Sequence, residues 1–132
     1  MKVLIDCEES QEVCKAFRAK GHEAYSCDLL PCSGGHPEWH IQGDAIISIK
    51  GGWLTLQNGD QIYIEQWDRI ILHPPCTKVS VSGNGTYANT DERVEAANWN
   101  ADLYFLACEN CACVAMEQPV TVLRSIRADL PK

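Results

Sequence analysis

Short β-branched runs alternate with stretches of helical period along this chain, and that alternation restricts it to an α/β fold built on parallel strands. Residues 2–5 read as a buried first strand. A helix is expected over 10–20, where Val13, Ala16 and Phe17 share one face and Gly21 follows as a stop. Residues 23–27 read as a second strand ending at Asp28, and 44–49 as a third. Residues 30–40 hold two prolines and two glycines without periodicity and are expected to be irregular. Asn58-Gly59-Asp60 between apolar runs at 53–57 and 61–65 predicts a hairpin inserted into the frame. Residues 68–72 form the next core strand, and 74–90 a long loop. Thr90 is placed to cap a helix whose first turn carries Asp91 and Glu92. Residues 113–116 make the last strand, ending at Glu117. The expected architecture is a Rossmann-like, mainly parallel sheet of about five strands plus a hairpin, in one domain over residues 1–132.

Composition narrows the partners. A net charge of −7 disfavours tight non-specific binding to a phosphate backbone. It points to a small ligand, or to a nucleic acid reached with the help of another chain. Arg124, Arg127 and Lys132 supply a local basic patch near the end of the sequence. An acid at position 6 argues against a secretory leader, and no apolar run approaches the roughly 20 residues of a membrane span. The expected compartment is the cytoplasm, with the eight cysteines reduced. A short sheet with an open edge invites pairing with a second copy.

The chemistry concentrates at strand ends. His73-Pro74-Pro75-Cys76-Thr77 directly follows the core strand, and the prolines stop it because they lack an N–H and restrict the preceding residue. Cys76 is thereby expected on a stiff loop at a strand's carboxyl end, where ligands bind in open α/β sheets. Asp6, Asp28, Cys76 and Glu117 all fall at such ends and would share one edge. Asp28 lies 22 positions after Asp6, near the spacing of about 20 residues at which an acid meets a ribose hydroxyl. A solvated loop acid is the other reading of Asp28. Cys27, Cys32, His36 and His40 have a spacing compatible with zinc, as do Cys108, Cys111 and Cys113, but core and loop roles are the expectation for both sets. Trp39, Trp53 and Trp99 are aromatics able to stack on a base. An imidazolium at His73 would lower the pKa of the Cys76 thiol, although neighbours on a strand point to opposite faces.

Pro74-Pro75-Cys76 after a strand resembles the Pro-Cys motif of DNA cytosine-C5 methyltransferases, which carries their nucleophile. Met116-Glu117-Gln118-Pro119-Val120 is similar to their Glu-Asn-Val motif, whose glutamate holds the cytosine. The chain resembles more closely the short methylase-like proteins of phages and prophages. That likeness runs through the start to Glu8, Ser26-Cys27-Asp28-Leu29-Leu30-Pro31, His36 to Asp44, the His73 motif and Glu117 to Val120. The resemblance implies S-adenosylmethionine as cofactor, with Asp28 on the ribose, Asp44 on the adenine amino group, and residues 6–11 (Asp6, Cys7 and Glu8 foremost) at the methionine end. Leu29 and Pro74 complete the implied cofactor site. It further implies strand order 3-2-1-4-5, Cys76 as nucleophile, Glu117 as base-holding acid, and DNA or a nucleotide as substrate inside a bacterial host. Residues 6–12 contain four acids and no glycine where the family has a glycine-rich turn, and Gln118 stands in place of Asn. A non-catalytic module binding a nucleotide, a nucleic acid or a protein is the alternative reading.

Overall fold

The computed structural model describes residues 1–74 and 90–117, together with Arg127 and Asp129. Its elements run β1 (Lys2–Asp6), α1 (Glu12–Ala19), β2 (Glu23–Asp28), a single 3-10 turn (Pro37–Trp39), β3 (His40–Gln42) and α2 (Ala45–Lys50). They continue with β4 (Gly52–Thr55), β5 (Gln61–Ile64), β6 (Arg69–Leu72), α3 (Asp91–Asn110) and β7 (Val114–Met116). Among the described residues five strands pair in the order β3-β2-β1-β6-β7, every pairing parallel. With the hairpin strands set aside, that order is the expected 3-2-1-4-5. The chain is therefore α/β, with a parallel five-stranded sheet and a separate antiparallel hairpin of β4 and β5.

Both faces of the sheet are covered, as parallel sheets require. The period-2 alternation of β1 divides its side chains: Val3 and Ile5 pack with Cys14, Ala24, Val13 and Phe17 on the α1 side. Leu4 instead joins Cys27, Ile70 and Leu72 in a larger core closed by α2, α3 and the hairpin. Trp67 anchors that core, edge-on to Tyr25, with its indole N–H donating to Ser48 O at 2.8 Å. The hairpin contributes Leu54, Leu56 and Ile64 to the same core, while Trp53 and Tyr63 pair on its exposed side.

One expected element is replaced. Residues 44–49 read as a strand because of their isoleucines, yet Ala45–Lys50 is helical and the third strand lies earlier, at His40–Gln42. Asp44 decides this: its Oδ1 accepts from Ile46 N at 2.7 Å, capping the helix. Ala45, Ser48 and Ile49 then point inward at helical spacing while Ile47 stays exposed, so packing overrides β propensity. At the end of the segment expected to be irregular and just past it, His40 to Gln42 gain regular partners by pairing with Ser26 to Asp28. The expected caps of α3 are present: Thr90 Oγ1 accepts from Arg93 N at 3.2 Å, above an acidic first turn. Among the described residues no helix is long and apolar enough to cross a membrane.

Candidate functional site

The sheet register brings the chemistry to one rim. Asp6 lies opposite Cys27 on one side and Leu72 on the other, Asp28 opposite Gln42, and Leu72 opposite Met116. Backbone bonds continue the ladders one or two residues past the strands: Glu8 N to Cys27 O, His73 N to Asp6 O, Gly43 N to Asp28 O and Glu117 N to Leu72 O, each 2.9–3.0 Å. These bonds hold Asp6, Asp28, His73 and Glu117 at the carboxyl edge.

A cavity of about 260 Å³ opens there, lined by Asp6, Cys7, Asp28, Leu29, Asp44 and Trp99 with the backbone and small side chains between them. A second hollow of about 240 Å³ shares Ile46 and Trp99 and continues along α3 past Asp102, Leu103 and Leu106. Five of the residues assigned to a cofactor thus meet in one place: Asp6, Cys7, Asp28, Leu29 and Asp44. Glu8 and Pro74 do not line it. Glu8 turns toward α1, and Pro74 is buried beyond the end of β6. Gly43, Ala45 and Ile46 line the cavity unforeseen, and Trp99 is the one of the three tryptophans able to stack on a base that reaches it. Gly43-Asp44 ahead of inward positions 45, 48 and 49 was a readable helix start. Trp99 is brought in only by the packing of α3 against α2.

Asp6 is the most perturbed acid. It is fully buried, its Oδ1 accepts from Cys7 N at 3.2 Å, and its Oδ2 has no hydrogen-bond partner. Burial pushes its pKa up to about 8, Asp44 and Asp28 push the same way, and contacts with Cys27 and the Cys7 N–H pull back. Cys7 is raised to about 12, first by burial and then by the three aspartates. A thiol that stays protonated is a poor nucleophile, so the cysteine inside the cavity does not supply one. Burial also holds the Cys27 thiol far above its ordinary range, where it contacts Ser48 Oγ at 2.9 Å. Asp28 closes a local turn, Oδ1 accepting from Leu30 N at 3.0 Å. Asp28 and Asp44 each use one oxygen locally, and a carboxylate has a second.

The glycine-free turn after β1 reaches a tight geometry by other means. Cys7 and Gln11 both adopt left-handed φ angles of 62°, unusual for residues with a side chain. Gln11 is held there by its buried amide, which donates to Ser26 Oγ and His36 O and accepts from His36 N. His40 Nε2 donates to Leu30 O at 2.9 Å while Nδ1 meets Ser26 Oγ at 2.7 Å. Gly34 lets the 30–40 loop close onto this turn, since a Cβ there would sit 2.4 Å from Ser10 O. His36 stacks on Trp39 and bonds Glu38. His36 and His40 are thus engaged in loop contacts, and among the described residues no three potential metal ligands cluster.

At the neighbouring strand ends, His73 Nε2 lies 3.0 Å from Glu117 Oε2. His73 thus faces Glu117, a partner that sequence reasoning did not assign to it, and its charge also reaches Glu8. Cys76 and Gln118 to Val120 lie outside the described residues. No family model, curated protein or solved structure matches the chain.

Proposed function

We propose that the chain is a Rossmann-like, S-adenosylmethionine-dependent cytosine-C5 methyltransferase-like protein, acting on DNA or a nucleotide. One observation carries this reading: Asp6, Cys7, Asp28, Leu29 and Asp44 line a single cavity at the carboxyl rim, on which Glu117 also stands. Ligands of open α/β sheets bind at that edge, beside the first strand, where the strand order reverses.

The donor set suits the group. Every acidic side chain of the cavity accepts hydrogen bonds, and ribose hydroxyls, the adenine amino group and the amino group of methionine all donate. Asp28 would hold the ribose and Asp44 the adenine. Asp6 Oδ2, buried without a partner, would face the cationic end. Trp99 and Ile46 offer apolar surface to a planar ring. When bound, the cofactor supplies an electrophilic methyl group.

Cytosine C5 is too electron-poor to accept a methyl group unaided. Addition of the Cys76 thiolate to C6 makes C5 nucleophilic, and Glu117 steadies the ring by hydrogen bonding at N3. His73 serves as a positioning residue for Glu117, across their 3.0 Å contact. Once C5 has taken the methyl group, a base would remove the C5 proton and the thiolate would leave. In duplex DNA the cytosine must first be flipped out, at a cost of a few kcal/mol.

The test is transfer of labelled methyl from S-adenosylmethionine to cytosine-containing DNA, with Cys76→Ser and Glu117→Ala beside the wild type. Both variants are expected to lose transfer. Full activity of Cys76→Ser refutes covalent catalysis, and a wild type that binds no S-adenosylmethionine at millimolar concentration refutes the reading itself.

A further inference from the structure

In nucleotide-binding α/β domains the N-terminus of the first helix receives phosphate, because its free N–H groups and its dipole attract an anion. In this chain an internal anion takes that place. Glu8 Oε1 accepts from Val13 N at 2.5 Å and Oε2 from Cys14 N at 3.4 Å, on the first turn of α1. Glu8 is 5% exposed, so the carboxyl is packed into the turn rather than waving above it. Burial pushes its pKa up, while the two N–H groups and His73 pull it down.

The adjoining cavity independently points the same way. Among the described residues its ionisable lining is Asp6, Cys7, Asp28 and Asp44, with no lysine or arginine. Asp6 Oδ2 is buried there without a partner. Asp44 and Asp28 already act on Asp6 as like charges, and a phosphate seated beside them would meet the same repulsion.

We propose that this site selects adenosine-type ligands that carry no phosphate, and that Glu8 enforces the choice by seating a carboxylate where a nucleotide phosphate would bind. The proposal rests on the cofactor reading above and sharpens it, since a sulfonium nucleoside meets the rule and a mono- or dinucleotide does not. Glu8 acts as a specificity-determining residue rather than a catalytic one.

The experiment is calorimetric titration of the wild type and Glu8→Gln with adenosine, S-adenosylmethionine, AMP and NAD. Glutamine keeps an oxygen for the Val13 N–H and removes the charge, and a thermal melt checks that the variant folds. In the wild type, AMP and NAD are expected to bind at least about tenfold more weakly than adenosine. In Glu8→Gln that gap narrows by about threefold or more, with adenosine affinity little changed. Wild-type AMP binding equal to that of adenosine overturns the proposal, whether or not the variant folds. So does a folded Glu8→Gln protein with an unchanged gap. Binding of adenosine but not S-adenosylmethionine, with AMP excluded, sinks the methyltransferase reading and leaves the selection rule standing. Binding of none of the four at millimolar concentration overturns both.

Discussion

Replacing Asp6 by asparagine should change how stability depends on pH, and the size of the change follows from burial. The folded carboxyl holds its proton to about pH 8, against an ordinary value of 3.8. Between those values the unfolded chain has released the proton and the native chain has kept it. Stability of the wild type therefore falls as pH rises through this window, by up to about 1.4 kcal/mol per pH unit for this one group. Over the full window the loss is on the order of 5 kcal/mol, comparable with the whole stability of a small domain. Asparagine keeps an oxygen for the Cys7 N–H and cannot ionise, so the variant lacks this loss. Urea unfolding followed by tryptophan fluorescence, with buried Trp67 as one reporter, gives both curves at pH 5, 6, 7 and 8. The constant offset between the proteins mixes several effects, including the new amide hydrogens. The slope isolates the proton. The advantage of Asp6→Asn over the wild type should grow by at least about 2 kcal/mol from pH 5 to pH 8. Parallel curves across that range would refute the argument that an ordinary acid is buried in a costly state at this position.

Two further substitutions test the scaffold beneath the site. Gln11→Ala removes three hydrogen bonds and leaves the part-buried His36 N–H without its acceptor, so it should cost about 2–4 kcal/mol in denaturant unfolding. A loss below about 1 kcal/mol would mean that the amide does not hold the turn. Trp67→Phe leaves Ser48 O without its indole donor and opens space in the larger core, at about 1–3 kcal/mol. An unchanged midpoint in the same assay would contradict its role as the anchor there.

Local chemistry was legible along the chain wherever it acts over a few residues. The hairpin followed from Asn58-Gly59, whose glycine takes a φ of 97°. The start of α3 followed from Thr90 and its acidic first turn. Asp6, Asp28 and Glu117 could be assigned to one edge from strand ends alone, because parallel strands present like ends together. Isoleucines at 46, 47 and 49 misled, since β propensity records a fit to a half-buried sheet and α2 found its burial as a helix. The alternation of strands and helices dictated a parallel sheet, because parallel neighbours need a crossover and each crossover must cover a face. Contacts between remote segments were decided only when the chain packed: His73 turned to Glu117, and Trp99 came to the cavity from a helix about 70 residues beyond Asp28. Side-chain direction at a strand's end depends on which neighbours arrive there, and spacing along a chain carries no record of that.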